Sequence, residues 1–206
     1  MLAAKVTIME GVVLWPGALD VHMQSRLVRE IFAKTEDAPF YSPTMPGSGA
    51  PFSVQETNFG SLGWISDRNG YRYEPNHPVT KKPWPAIPPV LLELWREATQ
   101  FPGSPECCLV NLYRGAAKMG LHQDKDEVAL AAPVLSVSLG DDALFRIGGP
   151  TRRGTTKSLK LASGDVLMFG GPARLAFHGI DRVIAGTSRL VPGGGRFNLT
   201  LRRVRP

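Results

Sequence analysis

From Cys107 to Arg203 the chain is cut into short apolar stretches, each followed by glycine or a turn. The stretches Cys108–Tyr113, Val134–Leu139, Ala143–Ile147, Ser158–Leu161, Val166–Phe169, Arg174–Phe177 and Arg196–Arg203 are the length of strands. They are too short for helices that bury a face. Gly140, Gly148-Gly149, Gly164, Gly170-Gly171 and Gly193-Gly194-Gly195 separate them. Many short strands at near-regular spacing predict a sandwich or jelly roll.

The first half reads differently. Val6–Ile8 and Val12–Trp15 are short strand candidates around Gly11. Asp20 is placed to cap a helix running to about Lys34, with Leu27/Ile31 and Val28/Phe32 as four-spaced apolar pairs. The segment 39–51 is rich in Pro, Ser and Gly and reads as a loop. Phe59 to Tyr73 is aromatic and hairpin-like, with Asn69-Gly70 as its turn dipeptide. Asn76 to Pro89 carries five prolines and reads as an extended connection. A second helix, Val90 to Thr99, turns Leu91, Leu94, Trp95 and Ala98 inward. The fold class is therefore α+β, with helices early and a β core late.

With 206 residues, 43% of them hydrophobic, the chain has enough apolar surface for one globular core. No apolar run approaches a membrane-spanning helix, and Met1-Leu2-Ala3-Ala4-Lys5 does not open a secretory signal, so a cytoplasmic protein is expected, a monomer by default. Cys107 and Cys108 are the only cysteines. As strand neighbours they point to opposite faces and read as small buried side chains. The net charge is +6, and Arg182 to Pro206 holds six arginines and no acid. Such a balance suits an anionic partner such as nucleic acid, and equally a solvated surface.

Chemistry-bearing residues lie in the β half. His122 and Asp124 are two apart, so in an extended segment they share a face; His178 follows far downstream. Two histidines and one carboxylate can cap one face of Fe(II) and leave open positions opposite. His122 can also be a core-edge histidine bonded to Asp124, and His178 a satisfied interior histidine. His22 and His77 lack a ligand partner at useful spacing and read as structural or surface residues. In the last strand Arg196, Asn198, Thr200 and Arg202 alternate with Phe197, Leu199 and Leu201. That period of two puts the polar set on one face. Arg196 and Arg202 can be solvated strand residues; inside a jelly roll the two would require anions, and a dicarboxylate cosubstrate meets that demand.

Asn111-Leu112-Tyr113, then Leu121 to Glu127, Phe177-His178-Gly179-Ile180 and Arg196 to Arg202 resemble, in that order, the AlkB family of Fe(II)/2-oxoglutarate dioxygenases. Leu62-Gly63-Trp64, Gly70-Tyr71 and Lys82-Pro83-Trp84-Pro85 fit the same family, so the resemblance covers about Phe59 to Arg203. It implies a double-stranded β-helix (jelly-roll) core at about 107–206 beneath an N-terminal extension and nucleotide-recognition lid at about 1–106, in a single dioxygenase domain. It implies Fe(II) on His122, Asp124 and His178, with 2-oxoglutarate and O2 as cosubstrates. Arg196 and Arg202 would hold the 2-oxoglutarate carboxylates, assisted by Asn111, Tyr113 and Asn198. Trp64 would stack on a target base opposite His122, Tyr71 would contact nucleic-acid backbone, Asp126 would approach the polar edge of the base, and Arg174 would line the substrate side. The implied reaction is oxidative demethylation of alkylated DNA, single-stranded or with the base flipped out, with RNA a further substrate class. Ser66 to Asn69, Arg72 and the 39–51 loop do not follow the family pattern. The competing readings are a 2-oxoglutarate-dependent hydroxylase of proteins or small molecules, a zinc hydrolase built on the same ligands, and a cupin-like binding module without activity.

Overall fold

The alternation in the last strand sets the layering. In the computed structural model, which describes residue 2 and residues 4–206, Phe197, Leu199 and Leu201 are fully buried on one face, while Arg196, Asn198, Thr200 and Arg202 share the other. The parts of the N-terminal reading that fall on Met1 and Ala3 lie outside the described residues. Fully burying such a side chain stabilises the fold by roughly 1.5–3 kcal/mol, so the register of this strand is strongly specified.

The elements in chain order are β1 (Val6–Met9), β2 (Val12–Trp15), α1 (Val21–Lys34), β3 (Gln55–Gly60), β4 (Gly63–Asp67), β5 (Gly70–Glu74) and α2 (Pro89–Thr99). The second half holds β6 (Cys107–Tyr113), β7 (Met119–His122), β8 (Val134–Gly140), β9 (Asp142–Gly148), β10 (Thr156–Leu161), β11 (Val166–Phe169), β12 (His178–Ile184) and β13 (Arg196–Arg202). All strand pairs are antiparallel and form three sheets: a major one ordered β1-β2-β11-β8-β13-β6-β3, a minor one ordered β10-β9-β12-β7, and the β4-β5 hairpin.

Three layers result. Leu27, Val28 and Ile31 of α1 and Leu91, Leu94 and Trp95 of α2 pack on the outer face of the major sheet, against Val110, Val137 and Leu199. Its inner face packs on the minor sheet, where Leu14, Val134 and Phe169 meet Ala143, Phe145 and Ile147. This is the jelly-roll arrangement, with helices covering one side. Asp20 caps α1 by accepting the Met23 N–H at 2.8 Å. Cys108 joins the helix-side core and Cys107 a separate cluster under the hairpin; both are free thiols, and burial pushes Cys107 up to about 12. Among the described residues no helix is long and apolar enough to cross a membrane.

Three expectations change. Arg174–Phe177 is not a strand. Gly170-Gly171-Pro172 opens a 3-10 turn, Arg174 and Ala176 donate to Gly171 and Ala173, and β12 begins only at His178. The hairpin turn falls on Arg68-Asn69, with Gly70 (φ 115°) already paired to Asp67. Segment 55–60 forms β3, the edge strand that joins the hairpin to the β core through β6. With β2 paired to β11 as well, strands from the first half complete the major sheet.

Candidate active site

The two histidines meet because their strands pair. His178 opens β12 and is the direct cross-strand partner of His122 at the end of β7, and their ring centroids are 4.5 Å apart. The strands approach closely at Gly179, where a Cβ would come within 2.5 Å of the Met119 carbonyl and 2.8 Å of the Gly120 carbonyl. No side chain fits there, which explains a glycine beside a ligand. Asp124 lies just past the end of β7, and its Oδ1 is 3.7 Å from His122 Nε2 and 3.9 Å from His178 Nε2. The ligand atoms of the three residues all lie within 4.8 Å of one another.

Each ligand is oriented from behind. His122 Nδ1 is 2.9 Å from the Gly120 carbonyl and His178 Nδ1 is 3.0 Å from the Ala176 carbonyl. Donation there fixes the tautomer in which both Nε2 lone pairs face the centre. Burial, with His122 alongside, pushes His178 down to about 4, so it is a neutral donor at pH 7. Arg202 Nε and Nη2 approach Asp124 Oδ2 at 2.9 and 2.8 Å. Burial alone would raise the Asp124 carboxyl; Arg202 and the two imidazoles outweigh it and hold the group well below the usual carboxylate range. Two imidazoles and one carboxylate, with second partners in place, form a donor set that fits Fe(II).

A cavity of about 550 Å³ opens over this cluster between the two sheets. Arg196 is fully buried in its wall, with Nη2 bonded to Ser138 Oγ at 2.9 Å and the guanidinium 5.6 Å from the Tyr113 ring. Its Nε and Nη1, and Nη1 of Arg202, are buried donors without a partner. Burial pulls the Arg196 pKa down, yet an arginine remains charged. An uncompensated buried guanidinium is strongly unfavourable. A carboxylate from a keto diacid supplies the missing acceptors, so these residues also fit 2-oxoglutarate.

The family follows from comparison. The model of the 2OG-Fe(II) oxygenase superfamily matches residues 11–202. The chain is 56% identical to the alpha-ketoglutarate-dependent dioxygenase AlkB homolog of Caulobacter vibrioides, over all of this chain and 93% of that one. The chain belongs to the AlkB family of 2OG-Fe(II) oxygenases. Escherichia coli AlkB is 44% identical over 86% of this chain and 83% of its own. The solved structure of OsALKBH1 superposes with a TM-score of 0.84 at 32% identity, covering 97% of this chain and all of the other. This AlkB-family protein is thus an Fe(II)- and 2-oxoglutarate-dependent dioxygenase, with O2 as second cosubstrate.

In this AlkB-family cavity the other expected residues fall as follows. Asn111, Tyr113, Asn198 and Thr200 line the wall with the two arginines. Asn111 Oδ1 is buried without a partner, whereas Asn198 is held by Ser136, Val137 and Thr200. Trp64, Tyr71 and Asp126 stand at the mouth. Trp64 stacks on Tyr71 at 5.4 Å and 19°, and its Nε1 donates to Asp126 Oδ2 at 2.8 Å. Arg174 is not among the cavity-lining residues. It is buried behind Asp124, donating to the Asp124 and Ala132 carbonyls and to Glu127 Oε2. These bonds brace the ligand loop from behind. Two residues are given no role by the sequence, although Glu127 closes the Leu121 to Glu127 motif. Glu127 is buried where Tyr73, Arg174 and Arg202 converge on it, tying the hairpin to the ligand loop. Glu56 faces the cavity from β3 and is fully buried. His77 is a satisfied structural histidine, its Nε2 on the Pro39 carbonyl and its Nδ1 accepting the Val79 and Thr80 N–H groups.

Proposed function

We propose that this enzyme oxidatively demethylates N-alkylated nucleic-acid bases of the 1-methyladenine and 3-methylcytosine type, reversing alkylation damage directly. The orphaned guanidinium donors over a two-histidine, one-carboxylate cluster carry the chemistry. The aromatic mouth supports the substrate. His122, Asp124 and His178 hold Fe(II). Arg196 and Arg202 hold 2-oxoglutarate, with Asn111 and Tyr113 beside them and Asn198 keeping the strand's polar face in place. When bound, the ferrous ion with its keto acid supplies the oxidation of an unactivated C–H bond by O2.

The chain's own residues do the rest. Trp64 offers a stacking face opposite His122, which offsets the stacking lost when a base leaves its strand. Asp126 fixes the indole and presents its other oxygen to the base edge. Tyr71, at 45% exposure, reaches backbone at the mouth, where Lys118, Lys125 and Arg152 also stand and attract phosphates. The enclosed apolar walls, Leu109 and Phe145 among them, exclude water from the reacting methyl group. Hydroxylation of that methyl group releases formaldehyde and the restored base, with succinate and CO2 as co-products. We read the chain as a single catalytic domain, monomeric and cytoplasmic, acting on DNA and RNA strands.

The test incubates the protein with Fe(II), 2-oxoglutarate and O2 and a short strand bearing one 1-methyladenine. Loss of 14 mass units, roughly one methylene, should match formaldehyde and succinate one to one. Succinate formation coupled instead to a protein or small-molecule hydroxyl acceptor, with the methylated strand untouched, rejects this substrate class.

A further inference from the structure

Glu56 is the odd group in the cavity. It is fully buried on β3, it lines the cavity, and both carboxyl oxygens lack a hydrogen-bond partner. A carboxyl buried in this way is costly unless something binds it. Its backbone is fixed on both sides, by the ladder with Asn111 of β6 and by the reciprocal bonds to Tyr41. The sheet therefore sets the direction in which the side chain leaves the backbone. Two residues further along, Asn58 clamps the Trp64 backbone through both amide atoms, so the strand that carries Glu56 also sets the stacking platform.

The cavity takes two ligands of opposite charge in the function proposed above, on which this inference rests. The keto diacid is an anion and has the arginines. A base methylated at N1 of adenine or N3 of cytosine is a cation. An acid belongs with the cation. We propose that Glu56 is a specificity-determining residue that recognises the positive charge and exocyclic amino group of the alkylated base. Methylation at N1 of guanine or N3 of thymine replaces an N–H and leaves a neutral base with a carbonyl at that edge, which an ionised Glu56 disfavours.

The groups around Glu56, one guanidinium and two phenols, leave its charge only partly compensated. Burial raises its carboxyl to about 8, and Arg202 on β13 only partly opposes this. Tyr113 on β6 and Tyr41 on the preceding loop are the other titratable neighbours, and both phenols are themselves pushed upward, burial leading and Glu56 contributing. The ligand-free protein thus carries the acid in its neutral form near pH 7. A cationic base favours ionisation, so binding releases a proton, and affinity for that base rises with pH between 6 and 8.

The test measures binding of short single strands carrying one 1-methyladenine, one N1-methylguanine or no lesion. The protein is loaded with Mn(II) and 2-oxoglutarate, so no turnover occurs. Wild type should prefer the cationic lesion, increasingly so from pH 6 to 8. Glu56→Gln, equal in shape but never charged, should lower the preference about five- to tenfold and flatten its pH dependence. Glu56→Met, apolar and of similar size, should do the same, which separates lost charge from amide rearrangement. An unchanged preference in both variants overturns the assignment. So does a change confined to 2-oxoglutarate affinity, which would give the acid to the cosubstrate. A wild type that binds all three strands alike overturns this inference, while loss of the methyl group under Fe(II) and O2 tests the demethylase reading separately.

Discussion

Arg202 holds Asp124 by a single oxygen. Its Nε and Nη2 both meet Oδ2, at 2.9 and 2.8 Å, which leaves Oδ1 facing the Nε2 atoms of His122 and His178. The last strand of the major sheet thereby aims a ligand that sits past the end of a minor-sheet strand. Replacing Arg202 by Ala frees the carboxylate to rotate and removes its counter-charge. The expected outcome is a metal affinity about 10- to 100-fold weaker, read by calorimetric titration with Mn(II). Unchanged affinity would show that Arg202 does not orient the ligand.

Arg196 differs from Arg202 in having no ion-paired carboxylate among the described residues: Ser138 and the Tyr113 ring touch it, and Asp165 acts on its charge only from further off. Arg196→Met should therefore act in opposite directions on two measurements. Affinity for 2-oxoglutarate should fall about 30-fold or more, because a buried charge pair loses one member. The cosubstrate-free protein should melt at a higher temperature, because a buried uncompensated charge has gone. A lower melting temperature would mean that the guanidinium is satisfied without ligand.

Gly179→Ala should weaken the metal site without touching a ligand. The added methyl would sit 2.5 Å from the Met119 carbonyl and 2.8 Å from that of Gly120, the group that receives His122 Nδ1. The strands must part, at about 1–3 kcal/mol of stability, and the two imidazoles separate with them. Thermal melting together with Mn(II) titration checks both effects.

Burial of Glu56 makes stability depend on pH. Its carboxyl rises from the ordinary 4.5 to about 8, so the folded protein keeps a proton that the unfolded chain releases. That contribution is fully present below about 4.5 and is lost as pH climbs to about 8, beyond which the penalty levels off. The melting temperature of ligand-free Glu56→Gln should therefore gain on wild type between pH 5 and 8. A constant difference would place Glu56 in water.

Trp64→Ala should weaken binding of a methylated strand by roughly 1–3 kcal/mol. Binding of 2-oxoglutarate should hold, since Trp64 stands at the mouth while the arginines lie on β13. Fluorescence anisotropy of a labelled strand and calorimetry with 2-oxoglutarate separate the two.

Much of this architecture was legible because it rests on period and punctuation. The alternation of Arg196 to Arg202 predicted which side chains face the cavity, and β13 follows it residue by residue. Asp20 and the four-spaced pairs Leu27/Ile31 and Val28/Phe32 set the bounds of α1. What escaped depends on tertiary pairing. Segment 55–60 has one apolar residue among its six and no clean alternation, yet it is almost wholly buried as β3, because β6 and the hairpin cover it. Glu56 went unnoticed with it, since a lone glutamate on a polar stretch reads as solvated. Arg174 shows the converse error: the residue is close to the site, but its guanidinium turns behind the ligand loop, a direction that neither spacing nor motif encodes.

The central claim is that His122, Asp124 and His178 share one ferrous ion whose open side receives 2-oxoglutarate. The most direct measurement is the iron bound per chain after anaerobic loading and gel filtration, in wild type and in His122→Ala, Asp124→Ala and His178→Ala. The account predicts one Fe(II) per wild-type chain, and 2-oxoglutarate binding that collapses together with the iron in each variant while the folds persist. Stoichiometric iron retained in the Asp124→Ala or His178→Ala protein would contradict it.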